Sequence, residues 1–239
     1  MPAQPSAIDH SLPPFNDTPE TKRLETRLPP VLSAVAGMVD VISFVSLKLF
    51  TAHVTGNLVV IAALLVRGGP PNLAQILAVP VFILAVGGVW LIAKHLNKRG
   101  PALVRPLLLV QFLLLACVLM VAVVYHPAAN PHGLIAVIAA MIAVSAMACQ
   151  FTLLRLTLPT SPSTAVMTGN LTNTVLSVLD AVSSPQPEAQ RASQHLTSSL
   201  RALIGFLVGC VLGALGVSFL HDWAWVLPFG LAGAAVAMS

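Results

Sequence analysis

The chain has too few charged residues to be a water-soluble protein. Asp, Glu, Lys and Arg together account for 8% of its 239 residues, whereas apolar residues account for 56%. A soluble domain usually has about 25% charged residues, which help to cover its surface. Several windows of about 20 residues contain none of the four charged types, and that length spans the hydrocarbon layer as a helix. The sequence therefore predicts an integral membrane protein.

The sequence also lacks the residues of a metal centre, a nucleic-acid surface or a common hydrolase. Cys117, Cys149 and Cys210 lie in apolar runs without a Cys or His at metal-ligand spacing, so they are interpreted as small hydrophobic residues. The net charge of +4 is dispersed, with no basic stripe among aromatics. Neither a His-Glu-x-x-His nor a Gly-x-Ser-x-Gly motif is present. We therefore expect no cofactor, no metal, no nucleic-acid partner and no enzymatic activity.

The N-terminal segment has the composition of a tail. Residues 1–28 are polar and rich in proline, and Lys22, Arg23 and Arg27 stand directly before the first apolar block. A secretory signal would instead place its basic residues at the start and a short apolar core soon after them. Residues 1–28 are therefore predicted to form a disordered cytoplasmic tail.

One polar motif occurs twice. The segment Phe50–Leu58, FTAHVTGNL, is echoed by Ser163–Leu171, STAVMTGNL, with Thr-Gly-Asn recurring 113 residues later. Each copy follows a long apolar run and precedes a shorter one. Such a motif either lets two helices pack closely or interrupts a helix inside the membrane. The predicted fold is an all-α, polytopic transmembrane bundle built from two internal repeats, residues 29–128 and 129–239.

The positive-inside rule distinguishes two topologies. If all eight apolar segments cross with the N-terminus inside, the 12 Lys and Arg residues divide six inside and six outside. If the two Thr-Gly-Asn segments dip in and return, six helices cross and only Lys48 and Arg67 fall outside, leaving 10 inside. Because cytoplasmic loops carry an excess of Lys and Arg, six crossings are predicted, with eight as the alternative. The two halves then enter the membrane from opposite sides.

Two stretches of the chain resemble a known family. AGMVD at residues 36–40, followed by the first motif, is similar to the YoaK-type bacterial membrane proteins, the DUF1275 family of unknown function. The second half agrees, since ACQF at residues 148–151 and TGNLTN at residues 168–173 look like that family's second motif. Cys149 departs from the Gly expected before Gln150. The resemblance covers roughly residues 30–238 and implies a polytopic protein of the bacterial inner membrane with no established activity.

Asp40 and Asp180 are the acidic residues within the apolar segments. A charged side chain at membrane depth is costly unless it is paired or hydrated, so each is a candidate for proton or cation binding. The alternatives are that Asp40 is hydrogen-bonded within the bundle and that Asp180 lies at a helix end in water. Asn170, Asn173, Ser177 and Asp180 share one helix face. That face either lines an aqueous path or bonds to neighbouring helices.

The two triplets are candidates for a solute site. If both begin half-helices near the middle of the bilayer, their free N–H groups and positive dipole ends favour an anionic or carbonyl-bearing solute. The nearby acidic residues favour a cation instead, so the sign of the solute's charge stays open. Alternatively, each triplet is a helix N-cap with Thr or Asn as the acceptor. The residues concerned are Thr55, Gly56 and Asn57 in the first copy, and Thr168, Gly169 and Asn170 in the second.

His53 and Gln150 complete the candidate pathway. His53 either titrates near neutral pH or is a satisfied structural histidine. Gln150 either contacts a solute or forms an interhelical hydrogen bond. Gly205, Gly209 and Gly213 repeat every fourth residue, and this bare face is expected to pack on a neighbouring helix and to serve a homo-oligomer.

The sequence therefore favours a multi-pass protein of the bacterial inner membrane with a cytoplasmic N-terminus. Its expected function is a small solute or ion transporter or channel, with a site between the two Thr-Gly-Asn motifs. The alternative is a non-transporting membrane protein that binds a protein or lipid partner.

Overall fold

The described part of the protein is helical and contains no strand. The structure, a computed structural model, describes residues 19–69, 71–96, 100–159, 161–164, 166–183 and 186–239, and gives only the backbone of 19–21, 100, 180–183, 186–192, 194 and 195. Its α-helices are α1 (Pro19–Leu47), α2 (Gly56–Arg67), α3 (Leu73–His95), α4 (Val104–Tyr125), α5 (Leu134–Thr157), α6 (Met167–Ser183), α7 (Gln186–Leu220) and α8 (Val226–Met238).

Five described apolar segments are long enough to cross a bilayer, and the last of them holds two helices. That segment, Leu196–Met238, contains most of α7 and all of α8. His221 breaks it, because its φ of 51° lies in the left-handed region and a short 3₁₀ turn follows. The helix α8 then packs against α1 and α4. The five segments thus contain six helices, namely α1, α3, α4, α5, α7 and α8.

The directions of four of these helices follow from two separate hydrophobic cores. One core joins the start of α1, the end of α3, the start of α4 and the end of α5. The other joins the opposite ends of the same four helices. Helices α1 and α4 therefore run one way, and α3 and α5 run the other way. We call the end with the starts of α1 and α4 the first face, and the opposite end the second face.

Close backbone contact fixes the direction of α7. A Cβ added at Gly205 would lie 2.4 Å from the Pro30 carbonyl oxygen, and one at Gly209 would lie 2.1 Å from that of Ala34. The contacts advance together along both helices, so α1 and α7 run parallel. Small residues permit this approach, as expected where lipid offers no hydrophobic drive for association. Helix α8 returns, because Trp225 before its start belongs to the second-face core and Ala235 near its end belongs to the first-face core.

These directions place the ends of the two short helices α2 and α6. Helix α1 ends at the second face and α3 begins there, so α2 lies between two helix ends on that side of the bundle. Helix α5 ends at the first face and α7 starts there, so α6 does the same on the other side. This arrangement is compatible with six crossings and two short helices, and the number of crossings stays a prediction.

Two boundaries differ from the sequence prediction. Helix α1 begins at Pro19, so residues 19–28 of the predicted tail are helical, and Leu24 and Leu28 are buried against the first-face core. The polar composition of residues 183–199 predicts a linker, but α7 already begins at Gln186. In both places the helix begins before the apolar run from which its start was predicted. Residues 1–18 lie outside the described part of the chain.

The glycine face of α7 is occupied within one chain. Gly205, Gly209 and Gly213 all contact α1, and Gly37 of α1 contacts α7 in return. A homo-oligomer, which the sequence placed on this face, would therefore have to use another surface.

We expect Gly209→Ala to lower the stability of the protein by about 1–3 kcal/mol, because the added methyl group would meet backbone atoms of α1. Gly88→Ala in α3 is the matched control, since a Cβ there meets nothing within 4 Å and alanine favours a helix. The melting temperatures of the purified proteins in one detergent measure both effects. Equal melting temperatures for the two variants would contradict the close α1–α7 contact.

Candidate functional site

Asp40 holds the first motif against α1. Its side chain lies seven residues before the end of α1, and the residue is 5% exposed. The Oδ1 atom accepts backbone N–H groups from Thr51 at 2.9 Å, Ala52 at 2.7 Å and His53 at 3.4 Å. The chain after α1 thus turns back into the bundle to the depth of Asp40.

His53 connects this carboxylate to the surface. Its Nδ1 lies 2.5 Å from Asp40 Oδ2, and its side chain is 32% exposed. The imidazole ring meets the edge of Phe206 on α7, with ring centroids 5.3 Å apart. The hydrogen bond to Asp40 raises the pKa of His53 above its ordinary value of 6.5, partial burial lowers it, and the charge of Asp40 raises it further. Asp40 and His53 therefore form a hydrogen-bonded pair that joins α1 to the first motif.

Asn57 closes the first motif into a rigid loop. Its side chain accepts the Phe50 N–H and donates to the Phe50 carbonyl, both at 2.8 Å. These two hydrogen bonds resemble the pair that two backbone segments form with each other, with the Asn57 side chain in place of one backbone. Thr55 precedes α2 but makes no side-chain cap, so the N-cap alternative does not hold for it. A Cβ at Gly56 would lie 3.1 Å from the Phe50 ring, which explains the small residue there.

The second motif forms a similar loop at the first face. Asn170 donates to the Ser163 carbonyl at 2.7 Å, again seven residues earlier in the chain. Gln150 Nε2 donates to Thr164 Oγ1 at 3.2 Å and to the Leu32 carbonyl of α1 at 2.9 Å. Gln150 thus ties the second loop to α1 as an interhelical hydrogen bond, the alternative given for it above.

Gln150 belongs to a buried pair of amides. Gln111 of α4 donates to Gln150 Oε1 at 2.7 Å, and neither residue is exposed. The other oxygen of the pair, Gln111 Oε1, is buried without a described hydrogen-bond partner. An unpaired buried carbonyl costs about 1–3 kcal/mol, so this oxygen lacks a partner that buried polar groups normally have.

The two loops occupy equivalent places on different helices. Asp40 lies seven residues before the end of α1, and Gln150 lies seven residues before the end of α5. Each holds the threonine of its motif, Thr51 or Thr164. Asp40 is itself a residue of α1, and Gln150 donates to the Leu32 carbonyl of α1. Residues 32 and 40 are about 12 Å apart along the helix axis. The described hydrogen bonds connect the two loops only through α1.

The other predicted residues lie at the edges of these loops. Thr168 is exposed, and a Cβ at Gly169 would contact the Val166 side chain at 3.1 Å. On the predicted polar face of α6, Asn170 and Ser177 are buried but Asn173 is exposed. The side chain of Asp180 lies outside the described part of the chain, so its role stays a prediction.

Three contributing residues were missed from the sequence. Thr51 and Thr164 occupy the same position in the two motif copies, and that identity was the available signal. Gln111 is the single strongly polar residue in the apolar run of α4, and it carried a similar signal. Among the described residues, no group of three or more His, Cys, Asp or Glu side chains is arranged to hold a metal ion.

Comparison with known proteins gives one match. A family model described as a protein of unknown function, DUF1275, matches residues 29–238, from within α1 to the end of α8. No curated protein and no solved structure matches the chain. The description of the family assigns no activity, so function has to be argued from the side chains themselves.

We expect Asn57→Ala to lower the stability by about 2 kcal/mol, because two hydrogen bonds to Phe50 are lost at about 1 kcal/mol each. Asn173→Ala is the matched control, since Asn173 is exposed. Melting temperatures in detergent compare the two variants. A loss of the same size in both would show that the loop does not depend on the Asn57 bonds.

The His53 pair predicts how stability depends on pH. A histidine whose pKa is raised on folding contributes stability that is complete below its unfolded value of 6.5. That contribution to the stability is lost as the pH rises through the raised pKa that His53 has in the folded protein. The melting temperature is expected to fall over this range, and His53→Asn is expected to remove the step. His132→Asn, at an exposed loop histidine, should retain the wild-type profile, and a step that survives in His53→Asn would contradict the assignment.

Proposed function

The chain belongs to the DUF1275 family of proteins of unknown function, and we propose that it is a small proton-coupled transporter of the bacterial inner membrane. In this proposal Asp40 and His53 carry the proton, and the solute passes between the two motif loops. The protein moves its solute without catalysing a covalent reaction. The observation that carries the proposal is a membrane-buried carboxylate that binds a motif loop and a titratable histidine at once.

A proton at this pair changes how firmly the loop is held. Ionised Asp40 accepts three backbone N–H groups from residues 51–53. Protonation of the carboxylate weakens these bonds, because a neutral oxygen is a poorer acceptor than a charged one. The loop is then less tightly bound to α1. Since His53 is partly exposed, it supplies the route by which the proton reaches Asp40.

The pattern of helix contacts supports the two predicted repeats. If α1–α4 correspond to α5–α8, the packing of α1 on α7 corresponds to that of α5 on α3. The packing of α4 on α5 likewise corresponds to that of α8 on α1. All four pairs are in contact. Such inverted repeats place a transport site between equivalent interrupted segments, and here those segments are the loops held by Asp40 and Gln150.

The distribution of basic residues supports a cytoplasmic first face. The described basic residues at or near helix ends of the first face are Lys22, Arg23, Arg27, Lys94, Arg105, Arg155 and Arg201, whereas Lys48 and Arg67 follow helices that end at the second face. Cytoplasmic loops carry the excess of Lys and Arg. The N-terminus is then cytoplasmic, and the Asp40–His53 pair is reached from the outside.

Proton flux into liposomes tests the proposal. We expect wild-type protein to acidify pyranine-loaded liposomes under an imposed K⁺/valinomycin potential, and Asp40→Asn to do so about tenfold more slowly, equivalent to about 1.4 kcal/mol in the barrier. The amide can still accept the N–H groups of Thr51 and Ala52 but cannot carry a proton. The assay is run in chloride buffer and again with amino acids and short organic acids outside.

Asn173→Ala serves as the control, because this exposed residue should leave the flux unchanged. Flux equal in wild type and Asp40→Asn under every condition would refute Asp40 as the proton carrier. Crosslinking to one stoichiometric partner without any flux would favour the alternative, a membrane protein that binds a partner.

A further inference from the structure

A groove lies beside the second motif, where α5 ends at the first face. Its volume is about 290 Å³, and its walls come from the last turn of α5 and the chain before α6. The rim is formed by exposed residues, including Arg155 and Ser163, and the deeper part by buried Leu158 and Thr164. This volume is at the lower end of the range for small-molecule sites, about 300–1,000 Å³.

Arg155 gives the groove a positive charge. No described carboxylate lies within salt-bridge distance of it, and its side chain is part of the lining. A guanidinium presents a planar set of donors that matches a carboxylate or a phosphate. The groove is therefore suited to an acidic group at its rim.

Polar atoms continue from the groove into the bundle. Ser161 Oγ lines the groove, is buried and has no described hydrogen-bond partner. Thr164 at the floor is bonded to Gln150, which is bonded to Gln111 with its own unpartnered oxygen. A ligand bound at Arg155 thus lies at the outer end of a series of buried polar groups leading between the helices.

The remaining lining is apolar. Phe151, Leu154, Leu158 and Val166 contribute side chains alongside the polar atoms. An apolar body with one acidic group matches this division. The small volume and the inward polar series favour a soluble acid over a membrane lipid, whose two acyl chains would have to lie outside the groove.

We propose that this groove is the first-face binding site for a small organic acid with an apolar body, in which Arg155 binds the acidic group and Ser161 Oγ donates a hydrogen bond. The proposal rests on the proposed transport function and specifies the class of solute. Ser163 and Thr164, the first two residues of the second motif, bring the motif into contact with that solute. Neither Arg155 nor Ser161 was identified from the sequence.

Equilibrium binding of radiolabelled hexanoate to the full-length protein in phosphatidylcholine nanodiscs tests this site. We expect saturable binding of one hexanoate per chain, and a dissociation constant about tenfold higher for Arg155→Gln, because one charge-assisted contact is lost. Ser161→Ala should weaken binding by a smaller factor. Arg201→Gln is the matched control, since Arg201 is also exposed at the first face but lies outside the groove lining.

Two outcomes overturn the proposal. One is the absence of saturable hexanoate binding, or equal binding by wild type and Arg155→Gln. The other is Arg155-dependent retention of phosphatidylglycerol, in nanodiscs that contain it, without hexanoate binding, which would assign the groove to a lipid headgroup. Gel filtration confirms that each variant is folded. Binding is measured without flux. A negative result in the hexanoate assay therefore does not change the interpretation of the Asp40→Asn flux experiment.

Discussion

A carboxylate inside a membrane-crossing helix is the constraint around which the second face is built. Asp40 is nearly inaccessible to solvent, and without partners its charge would cost several kcal/mol at this depth. The chain supplies those partners by turning back after α1, so that the N–H groups of residues 51–53 point at one oxygen and His53 meets the other. The chain between α1 and α2 therefore returns to the bundle. One buried carboxylate holds that return in place.

Much of the fold could be predicted from composition and charge. Charge-free apolar runs identified the long apolar helices, whereas the six crossings derived from the placement of Lys and Arg stay a prediction. The twin motifs correctly marked the two interruptions. The start of α1 was missed because Pro19–Leu28 is too polar to read as a membrane helix, although Leu24 and Leu28 pack against the bundle. Apolar periodicity does not report the polar start of such a helix.

The site was predicted less completely, for a reason visible in its residues. Asp40, Asn57 and Gln150 stood out because polar side chains are rare in apolar segments. Their partners did not, because Thr51 and the backbone of Ala52 become ligands of Asp40 only once the chain folds back. Arg155 looked like an ordinary basic residue at a helix end. Its significance depends on Leu158, Ser161 and Thr164 lining the same groove, and no local pattern encodes that arrangement.

The glycine contact between α1 and α7 has a consequence for biosynthesis. Helix α1 is translated well before α7, yet α7 is the partner that covers its bare backbone. Until Gly205–Gly213 has been translated, Ala34 and Gly37 lack the close backbone contact with α7 that they make in the folded protein. Insertion of the early helices and their final packing are therefore separated in time. The first half of the chain therefore stays in the membrane, or bound to the insertion machinery, until α7 has been synthesised.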